Sequence, residues 1–134
     1  MFNFLRKKTT PVEERSEVMW LKRGNGSYEV TVHGTIEEKH MQALQAQGAR
    51  EIEESGAVSV LVDLRDMQAW AKEPVGDNLD FLLTYDEQIK KLAIVADPQQ
   101  KTNSLAFFGS GYRHAEVEFF PPESLSKARS WVVE

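Results

Sequence analysis

Unbroken apolar runs, alternating segments and helical periodicities follow one another along this chain. The most telling run is Ala57-Val58-Ser59-Val60-Leu61-Val62-Asp63-Leu64, apolar on both faces except at Ser59 and Asp63. A strand with no polar face lies inside a sheet covered by helices on both sides, which makes the fold α/β with a largely parallel sheet. Leu92 to Ala96 repeats the pattern and predicts a second buried strand. Ala115 to Phe120 alternates and predicts a half-exposed edge strand. Nearer the start, Val18–Leu21 and Tyr28–His33 flank Gly24-Asn25-Gly26-Ser27, a tight-turn sequence, and predict an antiparallel hairpin.

Four helices fill the intervals. Thr35-Ile36-Glu37-Glu38 has the spacing of a capping box and opens a helix that ends at Ser55-Gly56, its inward stripe Ile36, His40, Ala43, Leu44, Gly48 and Ile52. Asp77-Asn78 caps a second, carrying Leu79, Leu82, Leu83, Asp86 and Ile89. Asp97-Pro98 supplies a cap and a first-turn proline for a third, and Pro121-Pro122 starts a fourth with Leu125, Ala128, Trp131 and Val132 inward. The predicted order is β-β-α-β-α-β-α-β-α, with the strands at Tyr28, Ala57, Leu92 and Ala115 parallel. Between Arg65 and Gly76 the chain reads as a loop, unusually apolar for a connection because it holds Met67, Trp70 and Pro74.

At 134 residues the chain suits one domain, here residues 17–134, preceded by a flexible arm at 1–16. The absence of cysteine excludes disulfides, thiolate metal sites and a thiol nucleophile, and suits a reducing cytoplasm. A net charge of -5 argues against nucleic acid as the partner. In the arm, Phe2, Phe4 and Leu5 stand beside Arg6, Lys7 and Lys8. Three readings stay open: weak peripheral contact with an anionic membrane, a frayed terminus, or a tail packed onto its own domain.

Candidate chemistry gathers where the buried strands end. Asp63, Arg65 and Asp66 follow one strand and Asp97 the next, so the four share a rim. A catalytic carboxylate pair there would need a raised pKa or a metal; the simpler reading makes Asp97 a helix cap, lets Asp63 bond neighbouring amides, and pairs Arg65 with Asp66 in solvent. His33, His40 and His114 lack the spacing of a metal helix, and no nucleophile elbow or phosphate-binding glycine loop is present. His40 is expected to be half-buried and hydrogen-bonded. A hydrolase or lyase using Asp63, Asp66, Asp97 and His33 is the weakest of the functional readings, and no cofactor is implied. Met67, Trp70, Phe81, Tyr85, Phe107, Phe108 and Tyr112 can line a cleft; of these Phe81, Phe107 and Phe108 also suit a core.

The order of segments resembles the SpoIIAA-like family, whose fold is shared by STAS and SEC14 (CRAL-TRIO) domains. The resemblance runs from Glu17 to the end. It rests on Val30-Thr31-Val32-His33-Gly34-Thr35-Ile36, Val60-Leu61-Val62-Asp63-Leu64, Lys91-Leu92-Ala93-Ile94-Val95-Ala96-Asp97, Glu116-Val117-Glu118-Phe119-Phe120-Pro121 and Ala128-Arg129-Ser130-Trp131-Val132. It implies a mixed, mostly parallel sheet flanked by four helices, and a non-catalytic module that binds a small apolar or lipid-like ligand or a protein partner. Classical STAS regulators carry a phosphorylated serine after the central strand; Asp63 to Trp70 holds no Ser or Thr, so that switch does not carry over. The ligand site expected on this basis comprises Asp66, Met67, Trp70, Phe81, Tyr85 and Tyr112. The alternatives are a protein-interaction module, including a homodimer, and an enzyme.

Overall fold

A computed structural model describes residues 17–70, 86–107 and 114–134. They form a five-stranded mixed sheet in the order β1-β2-β3-β4-β5, comprising β1 (Glu17–Lys22), β2 (Ser27–Ile36), β3 (Val58–Trp70), β4 (Ile89–Val95) and β5 (Glu116–Phe120). The opening hairpin pairs antiparallel, with Trp20 opposite Val30; β2 through β5 run parallel. The octet therefore lies in the central strand, and β5 is an edge. Three α-helices occur among the described residues: α1 (Glu38–Ser55), α2 (Lys101–Phe107) and α3 (Leu125–Val132).

Period-two alternation decides which helix each strand residue meets. One face of the sheet presents Tyr28, Val30, Val32, Val58, Val60, Val62, Leu64, Leu92 and Ile94, which pack with Ile52 and Leu44 of α1 and Leu105 of α2. The opposite face presents Leu61, Ala93 and Val95, which pack under Ala128 and Val132 of α3, with Leu125 and Trp131 alongside. Leu61, Val30, Val62, Ile94 and Val95 are fully buried. No helix among the described residues is long and apolar enough to cross a membrane.

The structure corrects four expectations. The predicted second helix lies outside the described residues except at its end, where Asp86–Gln88 is a 3-10 turn and Ile89 already starts β4, so the described residues hold three helices. The segment after Leu64 is no loop, because β3 continues to Trp70 alongside β2, with His33 opposite Asp66 and Ile36 opposite Trp70. Thr35 does not cap α1: Gly34 takes φ +85, the register shifts there, and β2 runs on to Ile36. That conformation suits glycine, and it delays the helix so that Glu37 becomes the N-cap. In the predicted inward stripe, Gly48 and Ile52 are buried and His40 and Leu44 half-buried, but Ala43 is exposed.

Candidate functional site

Between α1 and the sheet lies an apolar cavity of about 50 Å³. Trp20 of β1, Val30 of β2, Val60 of β3 and Leu92 of β4 meet Leu44 and Ile52 of α1 around it. These residues converge because β1 to β4 all turn alternate positions toward the helix. Gly48 and Glu51 also line the space, and Glu51 is its single charged lining residue among those described. The Glu51 carboxylate accepts from Gln47 Nε2 at 2.8 Å. The Trp20 ring meets Tyr28 edge-on, centroids 5.9 Å apart, and its buried Nε1 has no hydrogen-bond partner among the described residues. An unpaired donor costs about 1–3 kcal/mol, so it marks a place where an acceptor would be favourable. Trp20 and Leu44 also line a groove of about 350 Å³ outside the cavity, with Val18, Ala43, Gln47 and Arg50.

The polar groups of the rim are committed to structure. Asp63, 5% exposed, accepts from the Arg65 amide at 3.1 Å and takes a two-point bond from the Arg65 guanidinium, Nε at 2.9 Å and Nη2 at 2.9 Å. That hydrogen bond, with the surrounding carboxylates, raises the Arg65 pKa above its ordinary value against a smaller opposing effect of burial. Arg65 thus pairs with Asp63, where the sequence suggested Asp66. On the same face, Glu29 of β2 is buried and accepts from Arg129 of α3, Nε at 2.7 Å and Nη2 at 3.2 Å, with Arg23 Nε at 3.8 Å. The Arg129 pKa is raised likewise, chiefly by its hydrogen bond to Glu29. Asp97 accepts from the Gln99 amide at 2.9 Å, the cap its place before Pro98 implied. His40 Nδ1 accepts from the Glu37 amide at 2.9 Å, which requires that nitrogen to be unprotonated.

The expected ligand residues separate. Met67 is buried in the cluster beneath α1, whereas Asp66 is exposed and sits opposite His33. Trp70 closes β3. Phe81, Tyr85 and Tyr112 lie outside the described residues, as do Phe108 and the arm with Phe2, Phe4, Arg6, Lys7 and Lys8. Among the described residues no group of three or more His, Asp or Glu side chains is placed to hold a metal ion. Sequence reasoning missed Trp20 and Leu44 as cavity walls. It also missed the Glu29–Arg129 pair, although a charge at Glu29 between Tyr28 and Val30 signalled that something opposite had to compensate it.

The family model described as SpoIIAA-like matches residues 28–133. The chain belongs to the SpoIIAA-like family. Among solved structures, an uncharacterised protein of the DUF3478 family with a SpoIIAA-like fold, from Shewanella loihica, superposes with a TM-score of 0.66 at 13% identity, covering 92% of this chain and 99% of that one. An anti-sigma factor antagonist from Mycobacterium paratuberculosis superposes with a TM-score of 0.58 at 15% identity, covering 94% and 99%. At such identities these likenesses establish the SpoIIAA-like fold and nothing further. Among curated proteins none matches this chain.

Proposed function

We propose that this SpoIIAA-like domain works by binding rather than catalysis, and that its ligand is a small apolar or lipid-like molecule taken up beneath α1. The observation that carries this reading is the mostly apolar cavity, whose lining includes Trp20, a residue with a buried Nε1 that has no partner among the described residues. Apolar walls with one or two polar groups are the common form of a small-molecule site. About 50 Å³ is a third of the roughly 150 Å³ that holds a benzene ring, so uptake of a lipid-like molecule requires α1 to move away from the sheet. Of the four residues in the catalytic alternative, Asp63 is held by Arg65 and Asp97 caps a turn, which commits two of its three carboxylates to structure and leaves Asp66 and His33. A cytoplasmic location, kinship with SEC14 domains and weak membrane contact through residues 1–8 belong to the same proposal.

Native mass spectrometry of the gently purified chain, as isolated and after addition of palmitate or a lysophospholipid, tests the reading. A retained adduct that Leu44→Asp abolishes is the expected result. Failure to retain any apolar molecule, by the native chain or after loading, refutes it. Flotation with anionic vesicles, for the native chain and for Arg6, Lys7 and Lys8 changed to Glu, tests the membrane contact separately.

A second reading is favoured by the anti-sigma factor antagonist among the structural neighbours: a regulatory module whose partner is another protein, or a second copy of this chain. The stretch Asp63 to Trp70 contains no hydroxyl residue, so such regulation would not run through a phosphoserine at that place. Sedimentation over a range of concentrations distinguishes self-association from a monomer.

A further inference from the structure

Among the described residues β1 is the outermost strand on its side of the sheet and pairs with β2 alone. One row of its backbone N–H and C=O groups therefore has no ladder partner in the sheet. Edge strands are commonly protected by proline, a bulge or an inward charge. Glu17–Lys22 contains no proline, its register with β2 is unbroken, and its charges stand at the two ends, so Val18 to Leu21 is an uncharged edge. Apolar side chains flank that edge on both faces, joined on the α1 side by Gln47 and Arg50. Toward α1 runs the groove of about 350 Å³, walled by Val18 and Trp20 from the strand and by Ala43 and Leu44 from the helix. On the other face Met19 and Leu21 are 50% and 53% exposed.

We propose that an extended segment of a partner protein adds to this edge as a sixth strand, dividing its side chains between the groove and the exposed Met19–Leu21 face and placing a carboxylate on the groove side. Successive residues of a strand point to opposite faces. One side chain of the segment then enters the groove, and the next covers Met19 and Leu21. The carboxylate follows from Arg50, which lines the groove and donates to the neutral amide of Gln47. Backbone pairing supplies affinity in this mode, and pockets for alternate side chains supply selectivity. A second copy of this chain fits less well. In an antiparallel β1–β1 pair, Val18, Trp20 and Lys22 of the copy lie on the α1 side, and none of them offers Arg50 a carboxylate. The proposal concerns the outer groove and holds whether or not the inner cavity takes a ligand.

The test is a titration of the isotope-labelled full chain with the capped peptide Ser-Leu-Val-Glu-Leu-Thr-Ser, followed by amide shifts and hydrogen exchange. The expected result is slowed exchange at alternate β1 amides, with shifts confined to 17–22 and to α1 between 43 and 50. Ala43→Glu, at an exposed helix position, should weaken binding by about tenfold or more by setting a charge in the groove. A peptide with proline in place of Val should not bind, and Glu→Lys in the peptide should weaken it. Unchanged β1 amides at millimolar peptide, or equal binding of the proline version, overturns the proposal. So does a dimer in which the β1 amides are already protected, because the second copy is then the occupant.

Discussion

Substituting Arg129 by Met removes the guanidinium from Glu29 while keeping most of the side-chain volume. The Glu29 carboxylate is 8% exposed and accepts both nitrogens of Arg129, so the substitution leaves a buried charge short of its main partner. Breaking a fully buried pair costs about 3–5 kcal/mol. Two features of the site lower that figure. Arg129 is 43% exposed, so water already screens part of the interaction, and Arg23 at 3.8 Å remains to compensate. The expected loss is about 1.5–2.5 kcal/mol. Changing Glu29 to Leu in the same chain removes the stranded charge and supplies apolar contact beside Leu61. The double variant should therefore recover most of the loss, with a coupling of at least about 1 kcal/mol. Urea unfolding followed by far-ultraviolet dichroism measures all four corners of the cycle. A raised arginine pKa contributes stability that is complete below the ordinary arginine value and lost only above the raised one. Any neutral buffer therefore serves. An Arg129→Met variant within about 0.5 kcal/mol of the native chain, or strictly additive effects, refutes the claim that the strand carboxylate depends on α3.

Three further outcomes are expected. Gly56→Ala should cost about 1–2 kcal/mol in urea unfolding, because Gly56 takes φ +87 with open space where a Cβ would sit, so the loss is conformational alone. Trp20→Phe should cost less than about 1 kcal/mol, since the smaller ring loses contacts but also removes the unpaired N–H; a loss above about 2 kcal/mol means that the N–H has a partner. Asp97→Ala should cost about 1 kcal/mol through the lost bond to the Gln99 amide, and an unchanged urea midpoint refutes that role.

The parts of the fold legible in the sequence were those fixed by burial on both faces. Val58 to Leu64 has no side that tolerates water, and it occupies the middle of the sheet between β2 and β4. The hairpin and the Asp97 cap were legible because short-range turn and cap chemistry decides them. The continuation of β3 was hidden by its own irregularity. Leu64 and Met67 face the same buried cluster with Arg65 and Asp66 exposed between them, so alternation fails where the register with β2 shifts. Gly34 misled for a related reason: it looked like a strand stop, but its positive φ serves a bend within a strand that goes on. The candidate site was hardest to read. Trp20 and Leu44 are brought together only by β1 and α1 packing side by side, and neither residue carries a local signal of that contact.

The distribution of polar groups between the two faces bears on where function resides. On the α3 side, Glu29 and Asp63 are buried carboxylates, and each is consumed by a two-point arginine bond that fixes the chain locally. A group so engaged is a poor base and a poor ligand, because using it means breaking two charged hydrogen bonds. The α1 side carries a different arrangement: mostly apolar strand positions, the Trp20 donor without a partner among the described residues, and open volume both inside and outside Trp20 and Leu44, with Glu51, Gln47 and Arg50 contributed by the helix. Cavity and groove share those two side chains as a common wall. A guest that widens the cavity by pushing Trp20 or Leu44 outward narrows the groove, and a strand seated in the groove holds the wall in. Occupancy of the two places is therefore opposed wherever the wall itself must move, and where α1 lifts as a whole both spaces widen together, because α1 lines both.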